Sequence, residues 1–66
     1  MVLIRILKRR RFFVPQIKTG FFHKWRNLRY EAINGRYIAD DYPDFHEDKE
    51  SARKVISGFV MRTNLL

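Results

Sequence analysis

The chain has 66 residues, no cysteine and a formal net charge of +7. A chain this short forms one small domain of marginal stability, because it buries only about 60% of its unfolded surface. The lack of cysteine excludes disulfides and cysteine-based metal sites and fits a cytoplasmic protein. No run approaches the ~20 apolar residues that span a bilayer, and residues 1–11 reverse the charge order of a signal peptide, so we expect no membrane contact.

Charge is divided unevenly along the chain. Residues 1–30 hold nine basic side chains and no acid, residues 31–50 hold seven acids and two bases, and residues 51–66 hold three bases. This asymmetry favours polyanionic partners, either nucleic acid or an acidic protein surface. Alternatively, the basic part neutralises the chain's own acids, although seven acids cannot neutralise fourteen bases.

The first part of the chain predicts two strands. Residues 2–8 are apolar and β-branched, which is typical of a strand that is buried on most of both faces. The four cations at residues 8–11 repel one another and predict an exposed turn, after which residues 11–18 form a second strand. Pro15 has no N–H to donate to a ladder, so we expect a bulge or a sheet edge there.

Two glycine-containing turns predict further strands. Thr19-Gly20 predicts a hairpin turn in which the glycine supplies a positive φ, followed by a third strand at residues 21–30. Asn34-Gly35 predicts a type I′ hairpin turn. Residues 36–39 then return as a short fourth strand, or residues 31–39 form an ordered loop.

One amphipathic helix is predicted at about residues 48–61, after a loop at residues 40–44. Its apolar positions have the spacing of one helical face. These positions are Ala52, Val55, Ile56, Phe59 and Val60. Acids precede cations along it, as the helix dipole favours, and Phe45 lies where it could staple onto the first turns. Residues 63–66 are expected to fray unless Leu65 and Leu66 dock.

The predicted fold class is therefore α+β, in a single small domain covering residues 1–66. A three- or four-stranded antiparallel β-meander is followed by one C-terminal α-helix packed on one face. A sheet that is covered by one helix leaves its other face open, and we expect the function there.

The sequence predicts neither an enzyme nor a metal site. Histidine occurs only at positions 23 and 46, and no serine has a histidine at helical spacing to act as its base. The acids of residues 40–48 lack the glycine-centred spacing of a calcium loop. We therefore expect no cofactor. This acidic stretch could mimic phosphates toward another protein, but folding back onto the chain's own arginines is the favoured interpretation.

Aromatic and basic side chains alternate in residues 18–30. Because alternate residues of a strand share a face, Trp25 and Asn27 are expected on one side, with Lys24 and Arg26 on the other. We expect Trp25 to face the helix. Lys24 and Arg26 would then contact phosphates, while Gln16 or Asn27 reads bases. This separation of Trp25 from the cations disfavours a platform that stacks single-stranded bases.

The predicted binding site is cationic and consists of seven residues. They are Arg9, Arg10, Arg11, Lys18, Lys24, Arg26 and Arg29. Nucleic acid is the first partner that this set favours. The second is a host protein, contacted through Phe12, Phe22 and Tyr30 with arginine at the rim, because interface hot spots are enriched in such residue types. Self-association is a third alternative.

The helix start resembles a known family of DNA-binding modules. Residues 45–52, FHEDKESA, are similar to the pattern Phe-x-Thr-x-x-Glu-Ala of the arm-binding domains of phage-type tyrosine recombinases, with one extra residue and no threonine. In that family a three-stranded sheet enters the major groove, which implies a DNA-binding role for the strands here. The chain also resembles small orphan phage proteins, some of which bind host proteins, and that likeness implies the host cytoplasm.

Overall fold

The computed structural model describes residues 2–20 and 23–63. Four strands precede one helix. They are β1 (Leu3–Arg9), β2 (Phe12–Lys18), β3 (Arg26–Glu31), β4 (Arg36–Asp40) and α1 (Lys49–Thr63). The strands form one antiparallel sheet in the order β1-β2-β3-β4. The predicted α+β class is confirmed, and the segment after Gly35 forms the fourth strand instead of a loop.

The sheet has two faces, and α1 packs on one of them. The ring centroids of Tyr37 and Phe59 are 6.1 Å apart, which identifies the face of Tyr37 as the helix face. By alternation Leu28 shares this face, and both Leu28 and Ala52 of α1 are fully buried. The opposite side, here the distal face, carries one residue from each strand in a continuous row. That row is Arg5, Gln16, Asn27 and Asp40.

Strands β1 and β2 form a regular hairpin. They pair from Leu3 opposite Lys18 to Arg9 opposite Phe12, so the connecting turn contains only Arg10 and Arg11. Arg10 has a φ of 57°, which costs a non-glycine residue roughly 1 kcal/mol. The predicted exposed basic turn is confirmed, but it is shorter than residues 8–11, because Lys8 and Arg9 end β1. Arg9, Arg10 and Arg11 are all exposed to solvent.

Pro15 lies where the sheet splits. Strand β2 pairs with β3 only at Gln16 and Ile17. Phe13 instead exchanges two backbone hydrogen bonds with His46, with N···O distances of 2.8 and 3.0 Å. Pro15 is two residues further along, so its nitrogen points to the same side as that of Phe13. Since proline has no N–H, the ladder to β3 ends there, and the predicted edge at Pro15 is confirmed on the β3 side.

The connection between β2 and β3 differs from the predicted hairpin turn. Strand β3 begins at Arg26 rather than at residue 21, and the His23 N–H bonds to the Gly20 carbonyl at 3.3 Å in a bend. Gly20 does not have a positive φ, so the predicted role of this glycine is wrong. A connection of seven residues has no need of a two-residue turn. Phe21 and Phe22 lie outside the described residues.

The second predicted turn is also of another type. Glu31 pairs with Arg36, so the β3–β4 loop has four residues rather than two. Gly35 has a φ of 61°, but Asn34 does not have a positive φ, which excludes type I′. The Asn34 side chain donates a hydrogen bond to the Glu31 carboxylate and closes the wider loop.

The helix begins one residue later and ends two residues later than predicted. Asp48 is its N-cap, because the Ser51 N–H donates to Asp48 Oδ1 at 2.7 Å. This hydrogen bond lowers the pKa of Asp48 below its ordinary value. The predicted apolar face is confirmed, since all five of its residues are buried or half-buried. Thr63 is helical, while residues 64–66 lie outside the described part of the chain.

Phe45 has an aromatic partner on the distal face. Its ring centroid is 5.5 Å from that of Phe12. The sequence had instead suggested a contact between Phe45 and the first turns of the helix. The segment between β4 and α1 therefore touches the distal face near the hairpin turn. Across residues 2–20 and 23–63, no helix has both the length and the apolar character needed to cross a membrane.

Candidate functional site

Trp25 lies on the distal face, so the prediction that it faces the helix is wrong. The guanidinium carbon of Arg5 is 4.1 Å from the Trp25 ring centroid, and Lys18 Nζ is 6.0 Å from it. The predicted alternation holds, but the core position belongs to Leu28 on the other side of the strand. Cations and this aromatic ring therefore share a face, contrary to the sequence-based expectation.

A chain of hydrogen bonds crosses the distal face. Arg5 Nε donates to Gln16 Oε1 at 2.8 Å, and Gln16 Nε2 donates to Asn27 Oδ1 at 2.9 Å. Asn27 Nδ2 then donates to the Asp41 carbonyl at 3.1 Å. Gln16 is buried and both amides are engaged within the protein, which disfavours the prediction that Gln16 or Asn27 reads bases. Their effect is to hold Arg5 in place.

Arg29 is engaged in an ion pair within the protein. Its Nη2 lies 2.7 Å from Asp40 Oδ2, and its Nε also contacts the carboxylate at 3.1 and 3.3 Å. This hydrogen bonding raises the pKa of Arg29 and lowers that of Asp40. The pair is half-buried and bidentate. Arg29 is therefore poorly suited to contact a partner.

Lys24 and Arg26 lie apart from the hairpin turn. Lys24 Nζ is 3.7 Å from Asp41 Oδ1, and both side chains are exposed, so this pair contributes little to stability. Arg26 is opposite Ile17 and therefore on the helix face. Together with Thr19 and His23, these cations line a cavity of about 340 Å³. The favoured interpretation of the acidic stretch, folding back onto the chain's own arginines, is confirmed for Asp40, which pairs with Arg29, whereas Asp41 lies beside Lys24.

Three of the remaining predicted site residues form a basic end of the hairpin, and Lys18 lies at its other end. The arginine turn, defined as Arg9, Arg10 and Arg11, is exposed. Arg9 and Arg10 line a shallow cavity of about 370 Å³ with Phe12 and Phe45, and the Arg11 guanidinium lies 5.1 Å from the Phe12 ring. Within the described residues, no ion pair involves these three arginines.

Sequence reasoning missed Arg5. It lies in an apolar strand that the sequence predicts to be buried on most of both faces, yet its side chain is exposed. The alternation of side chains along a strand could have identified Arg5. Arg5 and Arg9 lie on one face of β1, and Ile4 and Ile6 lie on the other. Four residues of strand separate the two arginines by ~13 Å.

The seven predicted residues thus divide among three locations. The arginine turn and Lys18 lie along the β1–β2 hairpin, Lys24 and Arg26 line a separate cavity, and Arg29 is paired with Asp40. In the described ranges, no three metal-ligating side chains cluster to hold an ion. The chain matches no protein-family model, and comparisons with curated proteins and with solved structures give no significant match.

Proposed function

We propose that the chain is a small, non-enzymatic basic protein that binds nucleic acid, in the first instance DNA, in the cytoplasm. The contact surface is the β1–β2 hairpin, including the distal face and the arginine turn. One observation carries the proposal. The hairpin holds six cations and no acid, and the described residues provide no ion pair to any of them. These cations are Arg5, Lys8, Arg9, Arg10, Arg11 and Lys18.

The division of charge within the fold supports this function. One carboxylate each from β3, β4 and the loop after β4 forms an ion pair with a cation of β3, β4 or the β2–β3 connection, and none of these residues belongs to the hairpin. The hairpin therefore keeps its positive field at one edge of the sheet. Phosphate contacts from such an edge release counterions, so they give affinity that is independent of sequence and falls steeply with salt.

A salt titration tests the proposal. Anisotropy of a labelled DNA duplex should show binding at low salt, with a log–log slope of several units against salt concentration. The double variant R9A/R10A removes two of the contacts and should reduce that slope by about two. The control R53A/K54A removes the same charge from exposed positions of α1 and should leave the slope nearly unchanged.

Circular dichroism of both variants establishes that they are folded before binding is compared. No binding of wild-type protein to duplex or single-stranded DNA at low salt would end the proposal. Equal reductions of the salt slope in the two double variants would mean that binding depends only on net charge and that the hairpin has no special role.

A protein-binding function is the second candidate, favoured by the aromatic cavity at the hairpin end. Phe45 and Tyr42 are 48% and 72% exposed, and arginine borders the Phe12–Phe45 pair as it does in many interface hot spots. Tyr30, which the sequence analysis groups with Phe12, lies on the helix face and cannot join this surface. If this function is correct, a pull-down should recover a defined protein partner. Its binding should persist after nuclease treatment and should be lost in the F45A variant.

A further inference from the structure

We propose that Arg5 and Lys18, held over Trp25, form a phosphodiester-binding site on the distal face. This inference rests on the proposed nucleic-acid function and names the group that the site takes. The ligand is a backbone phosphate of the nucleic acid that also contacts the arginine turn. Trp25 acts as a positioning residue, and Arg5 supplies the donors.

Arg5 is pre-organised by two independent contacts. Its Nε donates to Gln16 at 2.8 Å, and its guanidinium lies 4.1 Å from the Trp25 ring centroid. Gln16 is itself fixed, because it is buried and its other amide atom donates to Asn27. A guanidinium has five N–H donors in a rigid fork, so four remain on its two terminal nitrogens. That fork matches the geometry of two phosphate oxygens.

Lys18 provides the second charge of the site. It lies diagonally across the strand pair from Arg5, which places the two Cβ atoms roughly 7–8 Å apart on one face. Both cationic groups lie within about 6 Å of the same ring. No acid in the described residues forms an ion pair with either of them. Two neighbouring like charges without a counterion are stabilised by an anion that contacts both.

The position of this site along β1 favours a polymer over a free anion. Arg9 lies on the same face ~13 Å away, next to the rest of the arginine turn. The two cationic groups therefore define a line along the free edge of the sheet, because β1 is an outer strand. A linear polyanion contacts both groups at once, which raises its affinity over that of a single phosphate.

The single tryptophan makes the site directly observable. Trp25 is the only tryptophan of the chain, so its fluorescence emission reports on this location alone. Wild-type protein is titrated with a single-stranded oligonucleotide, with a duplex and with inorganic phosphate, while anisotropy of labelled nucleic acid follows binding in parallel. We expect a saturable change in Trp25 emission whose midpoint equals that of the anisotropy curve.

Variants separate the site from general charge. R5A and K18A should each weaken oligonucleotide binding severalfold and lower the salt slope by about one. The matched control R53A removes one charge from α1 and should leave both readouts close to wild type. R5K keeps the charge but cannot form the planar fork, so it should weaken binding more than R53A does. Circular dichroism of R5A and R5K establishes that each is folded before binding is compared, and R5K, which keeps a cationic donor at position 5, replaces R5A if R5A is unfolded.

The outcomes distinguish this site from the wider function. Anisotropy that shows binding while Trp25 emission stays constant would overturn the site and leave nucleic-acid binding by the arginine turn in place. Equal weakening of binding by R5A, K18A and R53A would overturn it in the same way. An emission change with inorganic phosphate that an oligonucleotide fails to compete away would overturn the assignment to a phosphodiester. Absence of any nucleic-acid binding would remove the proposed function and this site together.

Discussion

Arginines of equal charge have different environments in this protein. Arg29 is half-buried and forms a bidentate pair with Asp40, whereas Arg10 is exposed in a turn. Arg5 is intermediate, because its Nε is bonded within the sheet while the side chain remains accessible. The partner of each guanidinium, and not its position in the sequence, decides whether it stabilises the fold or remains available to bind phosphate.

The Arg29–Asp40 pair predicts a dependence of stability on pH. Hydrogen bonding from Arg29 holds the pKa of Asp40 below its ordinary value of 3.8. The carboxylate therefore stabilises the folded state above that pH, and the contribution is lost as the pH falls through the lowered pKa. D40N should unfold at lower urea concentration than wild type at neutral pH, and the difference should narrow at an acidic pH below 3.8, as Asp40 becomes protonated in the folded state.

The matched control for this measurement is E47Q, which removes one exposed acid from the segment before the helix. Its urea midpoint should stay close to that of wild type at both pH values. Midpoints of D40N and wild type that differ by the same amount at both pH values would show that the pair makes no pH-dependent contribution.

At the scale of secondary-structure elements, helix and sheet meet through a close contact between Gly58 and Tyr37. A Cβ at Gly58 would lie 2.8 Å from Tyr37 Cζ and closer still to the hydroxyl. Tyr37 is held on both sides, with ring centroids 4.9 Å from Tyr30 and 6.1 Å from Phe59. Glycine in a helix interior is normally unfavourable, so the close approach of the Tyr37 side chain to α1 explains its presence.

This contact predicts that G58A destabilises the protein. At an ordinary helix position the change would stabilise by ~0.5–1 kcal/mol, but overpacking against Tyr37 should instead cost ~1–3 kcal/mol. Urea unfolding measures the difference. S57A, at an exposed neighbouring position, controls for helix propensity, and the cost of G58A should disappear in a Y37A background. A stabilising effect of G58A in the wild-type background would contradict the contact.

Local patterns predicted the elements better than their ends. The helix and its buried face followed from the spacing of five apolar residues, and the exposed turn followed from four adjacent cations. The connection before β3 was not predicted correctly. Thr19-Gly20 has the residue types of a tight turn but is part of a seven-residue connection. The residues of a turn limit the backbone conformations that are allowed, and the pairing of the flanking strands determines which of these conformations forms.

At the scale of the whole molecule, the charge is segregated within one sheet. The β1–β2 hairpin holds cations and no acid, while one acid each from β3, β4 and the loop after β4 pairs with a cation outside the hairpin. With a net charge of +7 on 66 residues, the folded state carries self-repulsion concentrated at one edge. Such repulsion is weakened by salt, because the Debye length falls to about 8 Å at physiological ionic strength.

This segregation predicts that moderate salt stabilises the free protein. Raising sodium chloride from about 50 mM to about 200 mM should raise the thermal midpoint, because screening relieves repulsion among the hairpin cations. R9A/R10A should show a smaller rise than R53A/K54A, although both lose two charges. A midpoint that falls with salt, or equal rises in the two variants, would show that repulsion within the hairpin does not limit stability.

The sequence by itself determined the class of fold, the helical face, the basic turn and the excess of positive charge, because each depends on neighbouring residues or on composition. Tertiary structure alone decided which face of β3 is buried, and there the full burial of Leu28 placed Trp25 beside Arg5 and Lys18. It also engaged Gln16 and Asn27 within the sheet. A period of two divides a strand into two sides, but only the packing of the helix determines which side becomes the core.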